Sequence, residues 1–452
     1  MITIVEPKQQ YSVLWSSPKE LCNKYRLMHY VLIVNHRGRV LLHNVVTGQL
    51  VVLDQNEADL LERLPLDYCP GMRQLIDGHF LVPEHFDEHN QVVKMREVLR
   101  KLHAAQLDSI RAYTILPTTG CNARCYYCFE NSVKPITMTE RTANDIIDYI
   151  VEHCGGKSVH LNWFGGEPTL AARRIDQICE GLRERGIQFQ SNMVTNGYLF
   201  DEKMVDSATR IWNLYHVQIS VDGTEKNNNF IKDFVHAQDN PYQRVLRNVG
   251  ILLNNRVNVT IRMNFDIGNA DDFANLVSEV QERFEGTKGL AIYATPVLGE
   301  YADKKGIINH GNDEWLVNKI VELNDIARKA GIARTYRALP CLEFVGCSAE
   351  DDSYMLISPD GSLARCLELF EGMHVVGNVQ DGITNETLLH SWKIIADYGK
   401  CKECVYFPRC VKMQNCPAGD RCYHLDRNMQ IELAIREQYD NFLERKEHNY
   451  EV

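Results

Sequence analysis

The chain has 452 residues, 44% of them hydrophobic, so it is long enough for two or three domains with a sizeable core. Its formal net charge of −11 argues against binding to nucleic acid or to a membrane surface, because such proteins usually carry a basic patch. The sequence contains no run of about 18 apolar residues, so no transmembrane helix is expected.

The first residues and the cysteine content indicate the compartment. Residues 1–8 lack the basic-then-apolar pattern of a secretory signal, so we expect a cytoplasmic protein. The 15 cysteines of such a protein should be reduced thiols. Metal binding is then a better explanation than disulfide bonding for the clustering of these cysteines.

The first hundred residues predict a small separate module, over residues 1–104. Alternating apolar runs between turn signals predict a three-stranded meander, and apolar residues at helical spacing predict three helices after it. The predicted strands are 30–34, 40–43 and 50–54, and the predicted helices are 55–64, 72–76 and 84–104.

Three cysteines follow a short apolar run and a Pro117–Gly120 turn. Cys121, Cys125 and Cys128 have the spacing CxxxCxxC. Thiolates on one compact loop suit an iron–sulfur cluster. A zinc site would normally close with a fourth Cys or His, and none follows within the loop. The spacing therefore favours a four-iron cluster with one iron open to a small chelating cofactor.

From 105 to 310, predicted strands and helices alternate. The predicted strands are 112–116, 158–164, 188–194, 216–221, 258–264 and 290–295, and amphipathic helices are predicted over 139–154, 170–185, 241–254 and 271–284. Six βα units imply an α/β fold with a parallel sheet curved into a partial (β/α)6 barrel. In such barrels the chemistry lies at the C-terminal ends of the strands.

Glycines and polar residues cluster at those strand ends. They are Gly165, Gly166, Glu167 and Pro168 after the second strand, Thr195 and Asn196 after the third, Ser220 and Asp222 after the fourth, and Arg262 on the fifth. Glycines let a backbone approach a ligand closely, helix-start N–H groups can meet a carboxylate, and an arginine can pair with one. An ordinary turn or capping role is the alternative for each residue alone, but their shared edge favours a cofactor site.

A bridging segment over 311–340, with a helix over 312–330, precedes eight further cysteines. These are Cys341, Cys347, Cys366, Cys401, Cys404, Cys410, Cys416 and Cys422. Residues 354–361 predict a hairpin that returns Cys366 toward Cys347, and 428–447 predict a terminal helix. Eight thiols suffice for two closed four-cysteine sites, holding either zinc or iron–sulfur clusters.

The cysteine loop resembles the signature of the radical S-adenosylmethionine (radical SAM) enzymes, CxxxCxΦC, with Tyr127 at the aromatic position. The resemblance implies that Cys121, Cys125 and Cys128 hold a [4Fe–4S] cluster that cleaves S-adenosylmethionine to a 5′-deoxyadenosyl radical. Residues 165–168 are similar to the family's GGEP segment, which holds the methionyl amino group. Cofactor contacts are accordingly expected at Tyr127, Gly165, Gly166, Glu167, Pro168, Thr195, Asn196, Ser220, Asp222 and Arg262, and no catalytic acid or base is assigned.

Residues 341–452 resemble the SPASM extension, because the segments CX13GX4C and CX2CX5C both match. That pattern implies two auxiliary [4Fe–4S] clusters, three clusters in all. The first would be held by Cys341, Cys347, Cys366 and Cys416, and the second by Cys401, Cys404, Cys410 and Cys422. The sequence departs from the family at Cys416, because five residues separate it from Cys410 where three are common, and this puts its assignment in doubt.

The N-terminal module resembles the winged-helix recognition element that precedes many peptide-modifying enzymes. In that fold a leader peptide pairs with the third strand and packs on the third helix, which is strand addition to a sheet edge. A cap that only covers the next domain is the alternative. An electron donor such as flavodoxin or ferredoxin is the second partner that the resemblance implies.

The loop sequence is most similar to maturases of cysteine-rich peptides. We therefore expect an oxidoreductase that forms intramolecular thioether cross-links in a ribosomally synthesised precursor peptide, as in sactipeptides and ranthipeptides. The alternatives are a carbon–carbon cross-linking maturase, a sulfatase-maturing oxidase, and a non-catalytic scaffold whose clusters only relay electrons. Sulfatase-maturing relatives carry an Asp directly after the cysteine that matches Cys366, whereas this chain has Leu367.

Overall fold

The computed structural model of the protein describes residues 2–15, 24–237, 239–297, 313–333, 339, 341–396, 399–417 and 424–448. The strands in these ranges are β1 (Thr3–Glu6), β2 (Lys24–Leu27), β3 (Val31–His36), β4 (Arg39–Asn44), β5 (Leu50–Leu53), β6 (Leu66–Asp67), β7 (Leu81–Pro83), β8 (Ala112–Ile115), β9 (Val159–Trp163), β10 (Phe189–Thr195), β11 (Leu214–Ser220), β12 (Asn258–Phe265), β13 (Leu290–Pro296), β14 (Tyr354–Ile357), β15 (Ser362–Ala364), β16 (Gly377–Asn378) and β17 (Gly382–Ile383). The α-helices there are α1 (Gln55–Leu61), α2 (Arg73–Asp77), α3 (Glu88–Gln106), α4 (Glu140–His153), α5 (Ala172–Glu184), α6 (Glu202–Arg210), α7 (Glu225–Lys232), α8 (Pro241–Asn254), α9 (Phe273–Arg283), α10 (Asp313–Lys329), α11 (Glu386–Ser391) and α12 (His424–His448).

The chain divides into two compact units whose boundaries differ from the predicted domain boundaries. The first unit comprises Met1–Gln106, Tyr336–Cys347 and Ile394–Val452, and the second comprises Leu107–Thr335 and Ser348–Lys393. The difference arises because α10 packs on β13 and α9, and because β14 pairs with β8. The predicted bridge and the hairpin therefore belong largely with the barrel.

The predicted meander is present in the first unit, within a larger sheet of order β1-β5-β4-β3. β3, β4 and β5 pair antiparallel in sequence order, as expected. β1 adds antiparallel to the outer edge of β5, with Thr3 opposite Val52. A second sheet of order β6-β2-β7 was not predicted, because strands of two to four residues are too short to show a hydrophobic period.

The three helices predicted after the meander are present, and the meander is buried on both faces. Leu42 and Val51 face a core that includes residues of α2 and α3. Leu41 and Val52, on the opposite face, pack with Tyr439 of α12. Burial on both faces explains why β5 reads as a continuous apolar run rather than an alternating one.

All six strands predicted for the barrel are present in the second unit and are parallel to their neighbours. The sheet order is β13-β12-β11-β10-β9-β8-β14-β15-β16-β17, so the six follow one another in space as they do in sequence. β14 continues the parallel sheet beyond β8, with Tyr354 opposite Ala112. The predicted hairpin is present as β14 and β15.

The two faces of the parallel sheet differ in polarity. Val159, Leu161 and Trp163 of β9 alternate into a core shared with α4 and α5. The intervening side chains are polar and hydrogen-bond across strands, as His160 does to Asn192 at 2.9 Å. A parallel sheet usually buries both faces in apolar contacts. The polar face of this sheet instead pairs its side chains with one another across the strands.

Two of the cysteines left outside the predicted clusters, Cys154 and Cys179, are fully buried in the barrel core, as expected of small hydrophobic side chains. Cys69 is half-buried, and Cys22 lies outside the described residues. Within the described ranges, every helix is too short or too polar to cross a lipid bilayer.

Candidate active site

The loop of Cys121, Cys125 and Cys128 follows β8 at the C-terminal edge of the sheet, as predicted. A turn brings the last two cysteines together, since the Cys128 N–H donates to the Cys125 carbonyl at 3.1 Å. The Ala123 N–H donates to the Cys121 sulfur at 3.4 Å. Cys121 is exposed and the other two are half-buried. These hydrogen bonds hold the loop in a compact turn, with one cysteine open to solvent.

The thiols of this loop must lose protons to bind metal. Burial raises the pKa of Cys128 to about 11 and also raises the pKa of Cys125. No group of three His, Cys, Asp or Glu side chains in the described ranges converges on one point as a single ion requires. A four-iron cluster makes no such demand, because each thiolate bonds a different iron.

The Gly165–Pro168 turn packs against the backbone that leads into the cysteine loop. Gly165 has φ +109°, and a Cβ there would lie 2.3 Å from the Thr118 carbonyl oxygen. A Cβ on Gly166 would lie 2.4 Å from the Gly120 carbonyl oxygen. Glycine is therefore required at both positions because the turn lies so close to the backbone of residues 118–120. Contact between these glycines and a cofactor stays a prediction.

Glu167 ties this turn to the end of β10. Its carboxylate is fully buried and accepts hydrogen bonds from the Thr195 hydroxyl and the Asn196 N–H, both at 2.8 Å, and from the N–H and hydroxyl of Thr169. Burial raises the pKa of Glu167 in spite of these donors. Asn196 continues the link through its side-chain amide, which donates to Asn122 Oδ1 at 2.7 Å. Three predicted residues thus meet, and they hold the cysteine loop.

Ser220 and Asp222, predicted to contact the cofactor, lie in a buried network with Tyr127. The Tyr127 hydroxyl donates to Asp222 Oδ2 at 2.6 Å, and the Lys232 ammonium lies 2.8 Å from the same oxygen. Lys232 also donates to the Ser220 hydroxyl at 2.8 Å. The Asp222 carboxylate is thus engaged by protein groups. Sequence reasoning missed Lys232, because a lysine in a charged helix gives no sign of being buried.

Arg262, predicted to meet a cofactor carboxylate, has an unused buried donor. Its Nε atom is buried and has no hydrogen-bond partner among the described residues. It lies on β12 two residues from Asn264, which contacts the Tyr127 hydroxyl. A buried N–H without an acceptor is costly, so a ligand acceptor would relieve it. Arg262 therefore fits the role that the sequence gave it.

Glu130 is a further residue that the sequence analysis did not assign. It is 8% exposed, and neither of its carboxylate oxygens has a partner among the described residues. Burial, with the nearby Glu371 as a second cause, raises the pKa of Glu130 to about 7. Its position two residues after Cys128 was the available signal.

The cysteines predicted for the auxiliary clusters are divided between the two compact units. Cys341, Cys347, Cys401, Cys404, Cys410 and Cys416 belong to the first unit, Cys366 belongs to the second, and Cys422 lies outside the described residues. The later cysteines lie in tight local turns. The Cys404 N–H donates to the Cys401 carbonyl at 3.1 Å, and the Cys410 N–H donates to the Tyr406 carbonyl at 3.1 Å. The assignment of these cysteines to two clusters stays a prediction.

Sequence comparison finds a family model that covers the cysteine loop and the strands after it. Residues 115–280 match the model of the Radical SAM superfamily. GTP 3′,8-cyclase of Clostridium perfringens (strain 13 / Type A) is 25% identical over 308 residues, which are 64% of this chain and 90% of that protein. The radical SAM cyclopropyl synthase TigE of Paramaledivibacter caminithermalis is 21% identical over 339 residues, 69% of this chain and 67% of that protein.

Solved structures share the fold. Native anSMEcpe with bound AdoMet and Cp18Cys peptide has a TM-score of 0.56 at 18% identity, over 74% of this chain and 98% of that chain. Streptococcus suis SuiB has a TM-score of 0.52 at 16% identity, over 91% of this chain and 98% of that chain. At such identities the likeness shows the fold alone.

The chain therefore contains a radical SAM domain, built on a large parallel sheet. The cofactors that this superfamily implies are S-adenosylmethionine and a [4Fe–4S] cluster. The residues present fit both: three thiols on one loop suit the cluster, and the unused Arg262 donor suits a carboxylate.

Proposed function

We propose that the protein is a radical SAM peptide maturase that forms intramolecular thioether cross-links, from a cysteine to a carbon of another residue, in a ribosomally made precursor. The observation that carries the radical chemistry is the cysteine loop held at the sheet edge. On the same sheet, the buried Arg262 Nε has no hydrogen-bond partner among the described residues. The resemblance of the loop sequence to maturases of cysteine-rich peptides supports the thioether, as do the later cysteines.

A peptide substrate is supported by the comparisons and by the shape of the site. One fold neighbour holds a peptide together with AdoMet. The polar inner face of the barrel offers side-chain donors and acceptors, such as Asn162, whose Oδ1 is buried without a partner among the described residues. A polar lining suits a substrate with many amide groups, because each backbone amide needs a partner when it leaves water.

The residues of this chain would bind and orient the cofactors. When bound, the cluster and S-adenosylmethionine supply a carbon-centred radical that removes a hydrogen atom from the substrate. Cys121, Cys125 and Cys128 would hold the cluster, and Arg262 would donate through Nε to the cofactor carboxylate. Glu167 keeps the turn that carries Gly165 in contact with the cysteine loop, so that the two sides of the site move as one.

Thioether formation balances only with an electron acceptor. One hydrogen atom leaves the substrate carbon, the cysteine thiol loses a proton, and one further electron must leave as the carbon–sulfur bond forms. We propose that the later cysteines would hold a cluster that supplies this electron acceptor. If Cys416 is not a ligand, three cysteines would hold the first auxiliary cluster, and the remaining position would be available to a substrate thiolate, whose pKa it would lower. Cys416→Ala separates the cases, since a retained cluster and retained turnover favour the open site.

Mass spectrometry of the product tests the reaction. Candidate precursors are cysteine-rich peptides encoded beside the gene. Each thioether should lower the product mass by two hydrogens and protect one cysteine from iodoacetamide. A product two hydrogens lighter in which every cysteine still alkylates would refute the thioether and indicate carbon–carbon coupling.

Sulfatase-type oxidation is disfavoured by the residue after Cys366. Leu367 packs beside an apolar cluster that includes Leu116 and Phe370, and it cannot accept a proton. The next residue, Glu368, is exposed. We expect no formylglycine from a sulfatase-type peptide, and an aldehyde trapped by hydrazide would contradict this.

Leader recognition by the N-terminal module needs a correction to the predicted mode. The outer edge of β5, the third strand of the meander, is paired with β1. A leader could add to β5 only by displacing β1, which is held through Thr3, Ile4 and Glu6.

We propose that the module binds the leader. The full-length protein should then bind the intact precursor more tightly than the leaderless peptide, and equal affinity for the two would show that the module is only a cap.

A further inference from the structure

The Tyr127 hydroxyl, in the middle of the cysteine loop, is saturated with hydrogen bonds. It donates to Asp222 Oδ2 at 2.6 Å and accepts from Lys232 Nζ and Asn264 Nδ2, both at 2.9 Å. A phenol has one donor and two acceptor positions, so nothing is left for a ligand. The ring is therefore fixed by its hydroxyl end.

The two charged partners of Tyr127 are saturated as well. Lys232 uses its three N–H groups on Tyr127, Ser220 and Asp222. Asp222 receives Tyr127 and Lys232 on Oδ2, and it receives the backbone and side-chain N–H groups of Asn264 on Oδ1, at 2.9 and 3.2 Å. Asp222 is 0% and Lys232 1% exposed.

The main chain beside Lys232 also grips the cysteine loop. The Arg124 N–H donates to the Lys232 carbonyl at 2.8 Å, and the Val235 N–H donates to the Asn122 carbonyl at 2.8 Å. Helix α7 ends at Lys232, and Asp233 follows in the left-handed region at φ 43°. This turn redirects the chain along the loop, so the segment after β11 holds the loop through both side chain and backbone.

Stability alone does not account for this arrangement. A buried ion pair often stabilises a fold no better than apolar residues of the same volume, because desolvation offsets the attraction. Its directional hydrogen bonds can instead select one conformation of a mobile segment. Here they converge on the segment between two metal-binding cysteines.

We propose that Asp222 and Lys232, acting through the Tyr127 hydroxyl, are positioning residues that fix the cysteine loop in its cluster-binding conformation. None of the three polar groups is free to contact the cofactor, so the pair acts on the cluster only through the loop. This inference rests on the radical SAM domain and not on the proposed peptide chemistry.

The adjacent tyrosine offers a matched control. Tyr126 donates its hydroxyl to Asp266 Oδ2 at 2.9 Å, outside the ion pair. Tyr127→Phe and Tyr126→Phe each remove one hydroxyl from the same loop and keep the ring. Lys232→Met/Asp222→Asn removes both charges together, so that no buried charge is left alone.

The first measurement uses the metal-free full-length protein. We expect iodoacetamide to alkylate Cys125 and Cys128 about tenfold faster in Tyr127→Phe and in the double variant, and within about twofold of wild type in Tyr126→Phe. The thermal midpoint of the double variant should shift by no more than about 3 °C. Large loss of stability in the double variant would overturn the proposal, because the pair would then be a stability element.

The second measurement uses protein reconstituted with iron and sulfide. In Tyr127→Phe we expect the S-adenosylmethionine-dependent change in the EPR spectrum of the reduced cluster to differ from wild type, with affinity for S-adenosylmethionine about tenfold weaker. Tyr126→Phe should match wild type. Identical spectra, affinities and alkylation rates for the two tyrosine variants would overturn the proposal. Either result stands whether or not a peptide is ever cross-linked.

Discussion

Replacing Arg96 should loosen the segments that carry two of the later cysteines. Arg96 lies on α3 and is 3% exposed. Its Nε donates to the Glu343 carbonyl at 3.0 Å, and one terminal nitrogen donates to the carbonyls of Phe407 and Pro408 at 2.8 and 3.0 Å. The guanidinium also lies 4.9 Å from the centre of the Phe407 ring. One side chain thus holds segments adjoining Cys341 and Cys410 against the helix.

The magnitude follows from the carbonyls that lose their donor. Arg96→Met keeps the length of the side chain and removes the guanidinium donor from the carbonyls of Glu343, Phe407, Pro408 and Cys410. The carbonyls of Phe407 and Pro408 also accept from backbone N–H groups, so the cost falls mainly on the other two. At about 1–3 kcal/mol for each buried acceptor that loses its donor, the local loss should be about 3 kcal/mol. Arg96→Lys should fall between Met and wild type, because an ammonium lacks the planar fork that reaches both segments.

Native-state hydrogen exchange measures this loss at the right place. The Glu343 N–H donates to the Pro408 carbonyl, and its protection should fall about a hundredfold for a local loss near 3 kcal/mol. Barrel peptides should be unchanged. Lys94→Met, an exposed position on the same helix, is the control. Protection of the 341–347 and 404–411 peptides within about twofold of wild type would refute the reasoning.

Three further outcomes are expected. Replacing Cys121, Cys125 and Cys128 together by Ala should remove about four irons per chain and all cleavage of S-adenosylmethionine, and residual cleavage would contradict the assignment. Burial lowers the pKa of His79 from 6.5 to about 4, so the wild type should lose stability relative to His79→Gln as pH falls between these two values, by at most about 3 kcal/mol. Urea midpoints at about pH 7 and about pH 4.5 test this. If the midpoints of the two proteins change in parallel, the pKa of His79 does not change on folding. Glu167→Gln should cost about 1–3 kcal/mol, since its amide cannot accept from all the donors that surround the carboxylate, and an unchanged urea midpoint would count against that network.

Local pattern determined much of the fold. Hydrophobic runs between helical periods predicted six strands of the barrel to within two residues at each end, because each strand buries one face on helices adjacent in sequence. The spacing of Cys121, Cys125 and Cys128 indicated the cluster loop, since ligands within eight residues share a loop in almost any fold. The helices α6 and α7 were not predicted, although both carry buried positions.

Only the tertiary structure decided which polar groups remain available for ligands. Asp222 follows β11 and Arg262 lies on β12, and both were assigned to the cofactor. Lys232 and Asn264 engage the Asp222 carboxylate, whereas the buried Arg262 Nε has no hydrogen-bond partner among the described residues. Sequence spacing places both side chains at one edge, but the partner of each comes from another strand or helix.

Long-range pairing explains the remaining differences. β1 meets β5 across more than 40 residues, β14 meets β8 across more than 200, and Arg96 reaches Phe407 across 311. Local propensity does not encode such contacts. They form only when the unpaired strand edges or carbonyl groups of one element meet hydrogen-bonding groups of an element distant in sequence. The sequence by itself therefore determined the barrel strands and the cysteine loop, and the tertiary structure decided which strand edges and which charged groups they leave free.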